Sequence, residues 1–514
     1  MKNILPILMC GMSLACNAVA SDVKPANVLF IMIDDLRPEL GAYGSTAVKS
    51  PNIDSLARES VVFANAYVNV PVCGASRASM MSGIRPTEKR FVGYQARIDE
   101  DAKGAETLFG YLKKQGYYSE SIGKILHFSE DSKAGWSTPP WNPKAKIKRI
   151  GHRNYQSAEN IVSFLKDRTG PAYEAADVPD NHYFDGMIAD QAMASLESAS
   201  QRDQPFFMAV GFLKPHLPFT VPLRYWDLYN EEDIDLASNP LMPVGAPREA
   251  IHSWGELRKF EGIPKSPHPV PDAMAKKLVH GYLASVSYSD AQVGKLLTKL
   301  KQLNLDENTI VILAGDHGFS LGEHGLWVKH SPFDVATRTP LIVKLPSALT
   351  DTSPMGRLLK NSLSKSTLSK STLSKSPLSK SPLSKSNELT PSLNPGVGIA
   401  EGLVEFVDIF PTVLELLGKP KLPQLQGESF GSQLLDSSAP GKAAVFPRWH
   451  AADVIKTDRY AMTEWFDRQG QVTARMLFDH LNDPKETVNL ADNKDFKTLV
   501  AELHEQLIAL RESR

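Results

Sequence analysis

A cysteine, Cys73, stands four residues before an arginine, Arg77, in the run Pro-Val-Cys-Gly-Ala-Ser-Arg-Ala-Ser-Met-Met-Ser-Gly-Ile-Arg-Pro at residues 71–86. Small residues separate the two, and Ser76 to Ser82 reads as a short helix that Gly83 stops. That spacing places the thiol beside backbone N–H groups and a fixed cation, the setting that lowers a thiol pKa and makes it reactive. A buried structural cysteine is the alternative reading of the same residue. Two pairs of possible ligands lie far apart in the chain: Asp34-Asp35 follows the apolar run Asn27–Ile33, and Asp316-His317 follows the run 309–314. Either pair could merely cap a loop. Taken together, adjacent like charges repel unless a cation neutralises them, and oxygen-rich ligands suit Ca²⁺ or Mg²⁺.

The elements that must position these groups are visible in the pattern. The runs at 27–33, 205–211 and 309–314 are continuously apolar, as in strands buried on both faces, and Pro340–Lys344 adds another. Val61–Ala66 and Tyr117–Ile122 read as further strands. Helices are predicted at 51–60, 105–115, 185–198 and 273–303. Strands alternating with helices, with polar residues at strand ends, indicate a doubly wound α/β domain whose site lies at the carboxyl edge. Residues 129–180 read as a long irregular excursion. From Ala443 onward, short strands at 443–448, 460–465 and 475–479 and a helix at 496–511 predict a small α+β unit. The expected division is a signal segment at 1–20, a catalytic domain at 21–442 and a C-terminal subdomain at 443–514.

With 514 residues and a formal net charge of -1, the chain offers no global attraction to nucleic acid, so an anionic ligand must meet a local cluster of cations. Lys2, the apolar stretch 4–15 and Ala18-Val19-Ala20 form an export signal, and no later stretch is long enough to span a bilayer. Cleavage after Ala20 removes Cys10 and Cys16 and leaves Cys73 as the sole thiol, which excludes an internal disulfide. A lipoprotein with Cys16 lipidated is the weaker alternative, because Ser13 stands where an aliphatic residue is expected. The absence of any Asn-x-Ser/Thr sequon favours a bacterial periplasm over a eukaryotic secretory route, and with the signal the expected location is the periplasm or the exterior. Residues 352–395 read as a low-complexity insertion in which Leu-Ser-Lys-Ser repeats with a five-residue period over 363–386.

The motifs together resemble the type I, formylglycine-dependent sulfatases. Cys73-Gly74-Ala75-Ser76-Arg77 with Ser82-Gly83 is similar to their modification signature, with Ala75 where proline is more usual. Ile33-Asp34-Asp35, residues 50–57, Gly123-Lys124-Ile125-Leu126-His127, residues 214–219 and Gly315-Asp316-His317-Gly318 match in order. Residues 321–329 and 333–337 resemble the iduronate-2-sulfatase-like branch in particular.

The resemblance implies an alkaline-phosphatase-like fold, a large mixed and mostly parallel sheet between helices with a smaller C-terminal subdomain. It implies that Cys73 is converted to formylglycine (3-oxoalanine) by a formylglycine-generating maturase. Asp34, Asp35, Asp316 and His317, with residue 73, would hold one Ca²⁺. Arg77 and Lys124 would hold the formylglycine, His127 would act as base in its regeneration, and His216 and Lys329 would contact sulfate and the leaving oxygen. The implied substrate is a sulfated oligo- or polysaccharide, with a 2-O-sulfated uronate expected and Lys214 near its carboxylate. Another polysaccharide such as ulvan, a phosphate or phosphonate monoester in the same fold, and a non-catalytic role in binding sulfated glycans are the alternatives.

Overall fold

The computed structural model describes residues 25–346 and 396–513. The export signal and the Leu-Ser-Lys-Ser insertion lie outside the described residues. Seven strands form the main sheet: β1 (Asn27–Ile33), β2 (Val61–Phe63), β3 (Tyr118–Gly123), β4 (Phe206–Phe212), β5 (Thr309–Gly315), β6 (Leu341–Lys344) and β7 (Gly398–Ala400). Their order is β7-β2-β6-β5-β1-β4-β3. β5, β1, β4 and β3 run parallel, whereas β6 is antiparallel to both β5 and β2, so the sheet is mixed.

The unbroken apolar runs follow from burial on both faces. Leu29, Ile31 and Ile33 of β1 join one core, while Val28, Phe30 and Met32 join the other. β5 divides likewise, with Val311 and Leu313 on the first side and Ile310, Ile312 and Ala314 on the second. A two-residue side-chain period inserted between two helical layers needs apolar residues at every position. Helix α1 (Cys73–Ser82) covers the second face through Ala75, Ala78, Met80 and Met81. Helices α2 (Phe184–Ser200) and α3 (Asp272–Gln302) cover the first.

α3 is 31 residues long and does more than pack. The Tyr282 hydroxyl donates to the Asp35 carbonyl, and Ser289 Oγ donates to the Lys214 carbonyl. Those two residues are seven apart, hence two turns along one face. The same helix therefore holds the turn after β1 and the loop after β4.

Several boundaries differ from the sequence reading. α1 begins at Cys73 rather than Ser76, so the cysteine occupies the first helical position. Its end is as expected: Gly83 closes it at φ 66°. The run 61–66 divides into β2 and a separate two-residue strand, Ala66–Tyr67, that pairs with Val404–Glu405. Residues 129–180 are not uniformly irregular: Ala158–Asp167 is a helix capped by the Ser157 hydroxyl, and Tyr173–Ala176 pairs with Phe219–Pro222. In the C-terminal region Ala443–Arg448 is not a strand. The four-stranded antiparallel sheet is built from β8 (Arg448–Trp449), β9 (Ala452–Lys456), β10 (Tyr460–Phe466) and β11 (Val472–Asp479), backed by helix α4 (Lys497–Ser513). Trp465, Met476 and Phe478 of this sheet reach the first core. Among the described residues no helix is long and apolar enough to cross a membrane.

Candidate active site

Parallel packing of β5, β1, β4 and β3 brings their carboxyl ends to one edge, and the predicted residues converge there. Asp34 and Asp35 follow β1, Lys124 follows β3, and Asp316 and His317 follow β5. Asp35 has φ 62°, a left-handed turn that an aspartate tolerates better than most residues. That turn directs the Asp35 N–H to Asp316 Oδ1 at 2.9 Å, tying the two strand ends together.

α1 points its N-terminus into the same edge. Cys73 Sγ lies 3.2 Å from His317 Nε2, and His317 Nε2 lies 3.4 Å from Asp35 Oδ1. Gly74 is required beside it, because a Cβ there would stand 2.0 Å from the Tyr94 carbonyl oxygen. One turn along α1, Arg77 is fully buried and works as a bracket. Its guanidinium donates to Asp34 Oδ1 at 2.9 Å, Asp316 Oδ2 at 2.8 Å, the Ile125 carbonyl at 3.1 Å and the Lys124 carbonyl. The five donors of an arginine fork suit such a task, whereas a point charge does not.

Two lysines complete the charge balance. Lys124 donates to Asp34 Oδ2, and Lys329 lies 3.1 Å from both Asp35 oxygens. Lys329 is presented by a strained stretch, with Val328 at φ 68° and His330 at φ 78°. Burial opposes ionisation of Asp34, but Lys124 and Arg77 outweigh it and hold the carboxyl well below its usual range. Burial also disfavours the Lys329 ammonium, and Asp35 outweighs it.

Cys73 behaves otherwise than its position at a helix N-terminus predicts. It is 3% exposed, and burial followed by the Asp34 charge pushes its thiol pKa well up. An unmodified Cys73 is therefore held as the neutral thiol, which corrects the expectation of an activated thiolate. The helix N-terminus and Arg77 are outweighed by desolvation and by the carboxylates that Arg77 already serves.

The donor set suits a hard divalent cation. Ligand atoms of Asp34, Cys73, Asp316 and His317 lie within 4.8 Å of one another, as do those of Asp34, Asp35, Cys73 and His216. Carboxylate oxygens keep a second lone pair when a cationic side chain takes the first, so the present contacts do not exhaust them. Three of these six residues are carboxylates, hard oxygen donors of the kind that suit Ca²⁺ or Mg²⁺.

The remaining predicted residues divide. His216 is at the site, 3.0 Å from Glu256 through Nε2. His127 Nδ1 is buried with no partner, and burial together with Lys124 lowers its pKa to about 3. Lys214 is not turned towards a ligand. Its Nζ donates to the His216 carbonyl at 2.9 Å and the Pro218 carbonyl at 2.6 Å, and Asp185 accepts the Leu213 and Lys214 N–H groups at 2.8 Å each. Lys214 thus shapes the loop that carries His216, which corrects its expected place beside a substrate carboxylate. His324 stacks on Phe333 with centroids 4.1 Å apart, and His330 stacks on Trp449 at 5.1 Å. Glu256, which no motif signalled, accepts from both His216 and Lys329. His152, 6.3 Å from the His216 ring, was equally invisible in a stretch without a motif.

A family profile described as Sulfatase matches residues 26–419, and one described as N-sulphoglucosamine sulphohydrolase, C-terminal, matches residues 390–513. The chain is 34% identical to iduronate 2-sulfatase of Homo sapiens over 440 residues, which are 82% of this chain and 76% of that protein. A sulfatase of Formosa agariphila is 26% identical over 506 residues, covering 94% of this chain and 87% of the relative. Phosphonate monoester hydrolase of Agrobacterium radiobacter shares the alkaline-phosphatase-like fold, with TM-score 0.71 at 20% identity over 95% of this chain and 96% of that one. The chain belongs to the sulfatase family, on its iduronate-2-sulfatase-like branch, and is a sulfuric ester hydrolase.

Proposed function

We propose that this is an exported sulfatase of the periplasm or extracellular space that acts on a sulfated carbohydrate. Its substrate in this reading is a 2-O-sulfated uronate of a glycosaminoglycan, its nucleophile is Cys73 converted by a maturase to formylglycine, and its metal is one Ca²⁺. The observation that carries the reading is the meeting of Cys73 with His317, Asp34, Asp35 and Asp316, bracketed by Arg77 and two lysines. The substrate rests on likeness to iduronate 2-sulfatase, and export rests on the N-terminal signal.

Formylglycine supplies, as its hydrate, an oxygen nucleophile and a second hydroxyl through which sulfate can be released. Ca²⁺ held by Asp34, Asp35, Asp316, His317 and residue 73 supplies Lewis acidity towards the sulfate oxygens. Arg77 fixes the two acidic strand ends and Lys124 places a cation beside them, so charge developing on the sulfate meets preorganised donors. His127, neutral and with Nδ1 unpartnered, accepts a proton during regeneration. His216 and Lys329 face the leaving oxygen.

Two measurements test this. The tryptic peptide 59–77 from protein made in its native host should be lighter than the cysteine form, by the exchange of SH and one hydrogen for a carbonyl oxygen. A free thiol alone would sink the formylglycine mechanism. Sulfate release from a panel of defined glycans should be greatest for 2-O-sulfated uronates and should be lost in EDTA and restored by Ca²⁺. Release from ulvan in preference would reassign the substrate.

A further inference from the structure

The segment 141–152 is held at both ends on the sheet edge where the site lies. At its start the Trp141 N–H donates to the Ser121 carbonyl at 2.9 Å, and the Trp141 carbonyl accepts from the Gly123 N–H at 2.8 Å, one residue before Lys124. At its end the His152 ring lies 6.3 Å from that of His216. A ligand resting on this loop is therefore a neighbour of whatever occupies the site.

The loop is also strongly basic. From residue 132 to residue 158 the chain carries six lysines or arginines and no aspartate or glutamate, although its overall formal net charge is -1. Lys144, Lys146, Lys148 and Arg149 are all exposed. Among the described residues none of the four forms an ion pair. Like charges gathered in this way repel one another, a cost that an anion from solution relieves. The backbone beneath them is fixed. Ile150 packs with Tyr155 and Phe164 in a small core of its own, Arg168 donates to the Arg149 carbonyl at 3.1 Å, and Thr220 Oγ1 donates to the Arg153 carbonyl at 3.4 Å. Arg153 itself lies over the Phe164 ring at 4.5 Å, so it serves the anchor while the four exposed cations are left free.

We propose that Lys144, Lys146, Lys148 and Arg149 form a subsite for the anionic sugars that flank the one being hydrolysed, so that this sulfatase favours a polyanionic chain over a short fragment of it. The proposal rests on the reading of the substrate as a sulfated glycosaminoglycan. A sugar seated in the site is covalently tied to neighbours that carry sulfate and carboxylate groups, and a loop anchored beside Lys124 and beside His216 offers those neighbours four unpaired cations. Attraction between exposed charges reaches about 8 Å at physiological salt and fades as salt rises. It acts on the capture of the chain and leaves bond breaking at residue 73 as it was.

The test compares wild type with a variant carrying Lys144→Gln, Lys146→Gln, Lys148→Gln and Arg149→Gln together. Substrates are a 2-O-sulfated uronate disaccharide and a heparin decasaccharide, each at about 50 and about 300 mM NaCl to vary the screening. Exposed ion pairs are each worth about twofold, so the variant should lose about 20-fold in kcat/KM on the decasaccharide at low salt and stay within about twofold of wild type on the disaccharide. High salt should erase the difference. A decasaccharide loss below about threefold, an equal loss on the disaccharide, or a wild type with no preference for the longer chain overturns the proposal. Retention on immobilised heparin reads the loop without turnover. The variant should elute at lower NaCl, and because both proteins keep the Leu-Ser-Lys-Ser insertion, the shift reports the loop alone. Unshifted elution overturns the proposal. No sulfate release by wild type from either substrate, with elution still shifted, overturns the substrate reading and upholds the cationic subsite.

Discussion

Arg77→Lys is the sharpest test of how the site is held together. The substitution keeps the positive charge and removes the fork. Arg77 serves acceptors at the ends of three strands: Asp34 after β1, Asp316 after β5, and the Lys124 and Ile125 carbonyls after β3. A lysine ammonium on a shorter reach can meet one carboxylate but cannot bridge two. Lys124 still serves Asp34, so the loss falls on Asp316, a fully buried carboxyl left without its arginine. Breaking a buried ion pair costs ~3–5 kcal/mol, and each stranded carbonyl adds about 1 kcal/mol. Because the lysine still neutralises one partner, a net loss of about 3–5 kcal/mol is expected. Urea unfolding in EDTA at pH 7 measures it, as a lower midpoint with unchanged slope; the chelator matters because a bound divalent cation would neutralise the freed carboxylate. The pH dependence adds a sign. Asp34 is held well below its ordinary value, so its contribution is present near neutrality and is lost on acidification through the folded-state value. The gap between variant and wild type should therefore hold down to about pH 4 and narrow only below it, towards the folded-state value. A Lys variant within about 1 kcal/mol of wild type at pH 7, or a gap that widens in acid, refutes the bracket.

Gly74→Ala places a Cβ 2.0 Å from the Tyr94 carbonyl oxygen, both atoms being fixed to backbone, so the start of α1 must move. A shift of about 1 Å at a reacting group costs roughly 10²-fold in rate, and a variant within about threefold of wild-type kcat would show that the helix start can yield. His127→Ala should lower kcat without moving the acid limb of the pH–rate profile above pH 4. Burial and Lys124 keep His127 neutral down to about pH 3, so another group must set any limb seen there. A limb displaced in the variant would identify His127 as the group that titrates.

Much of this site is legible in the linear chain because strand ends carry it. Asp34-Asp35 and Asp316-His317 stand out where a continuous apolar run stops, and burial of both sheet faces makes those runs unbroken. Cys73 and Arg77 are readable as a pair because one helical turn separates them. Glu256 is not, because its contacts with His216 and Lys329 are made only when a motif-free turn docks on the core. Lys214 shows the converse failure. Its type and place in a motif are plain, but the direction of its ammonium, into its own loop's carbonyls, is a tertiary fact. Strand β9 is not legible, because Val454 and Ile455 are too short a run to separate from a turn without their partners Thr463 and Met462 across the hairpin.

The long helix α3 bears on how errors spread through the enzyme. Tyr282 grips the turn of Asp35, and Ser289 grips the loop that leads to His216, at points roughly 10 Å apart on one rod. A sliding or tilting of that rod carries the carboxylate wall and the histidine wall in concert, so the gap between them changes less than either wall moves. Substitutions along the helix should thus be felt first as a drift of the whole pocket relative to Cys73, which rides on α1 across the sheet. The tolerance that matters for catalysis is the distance between two helices on opposite faces, and it passes through the thickness of the sheet.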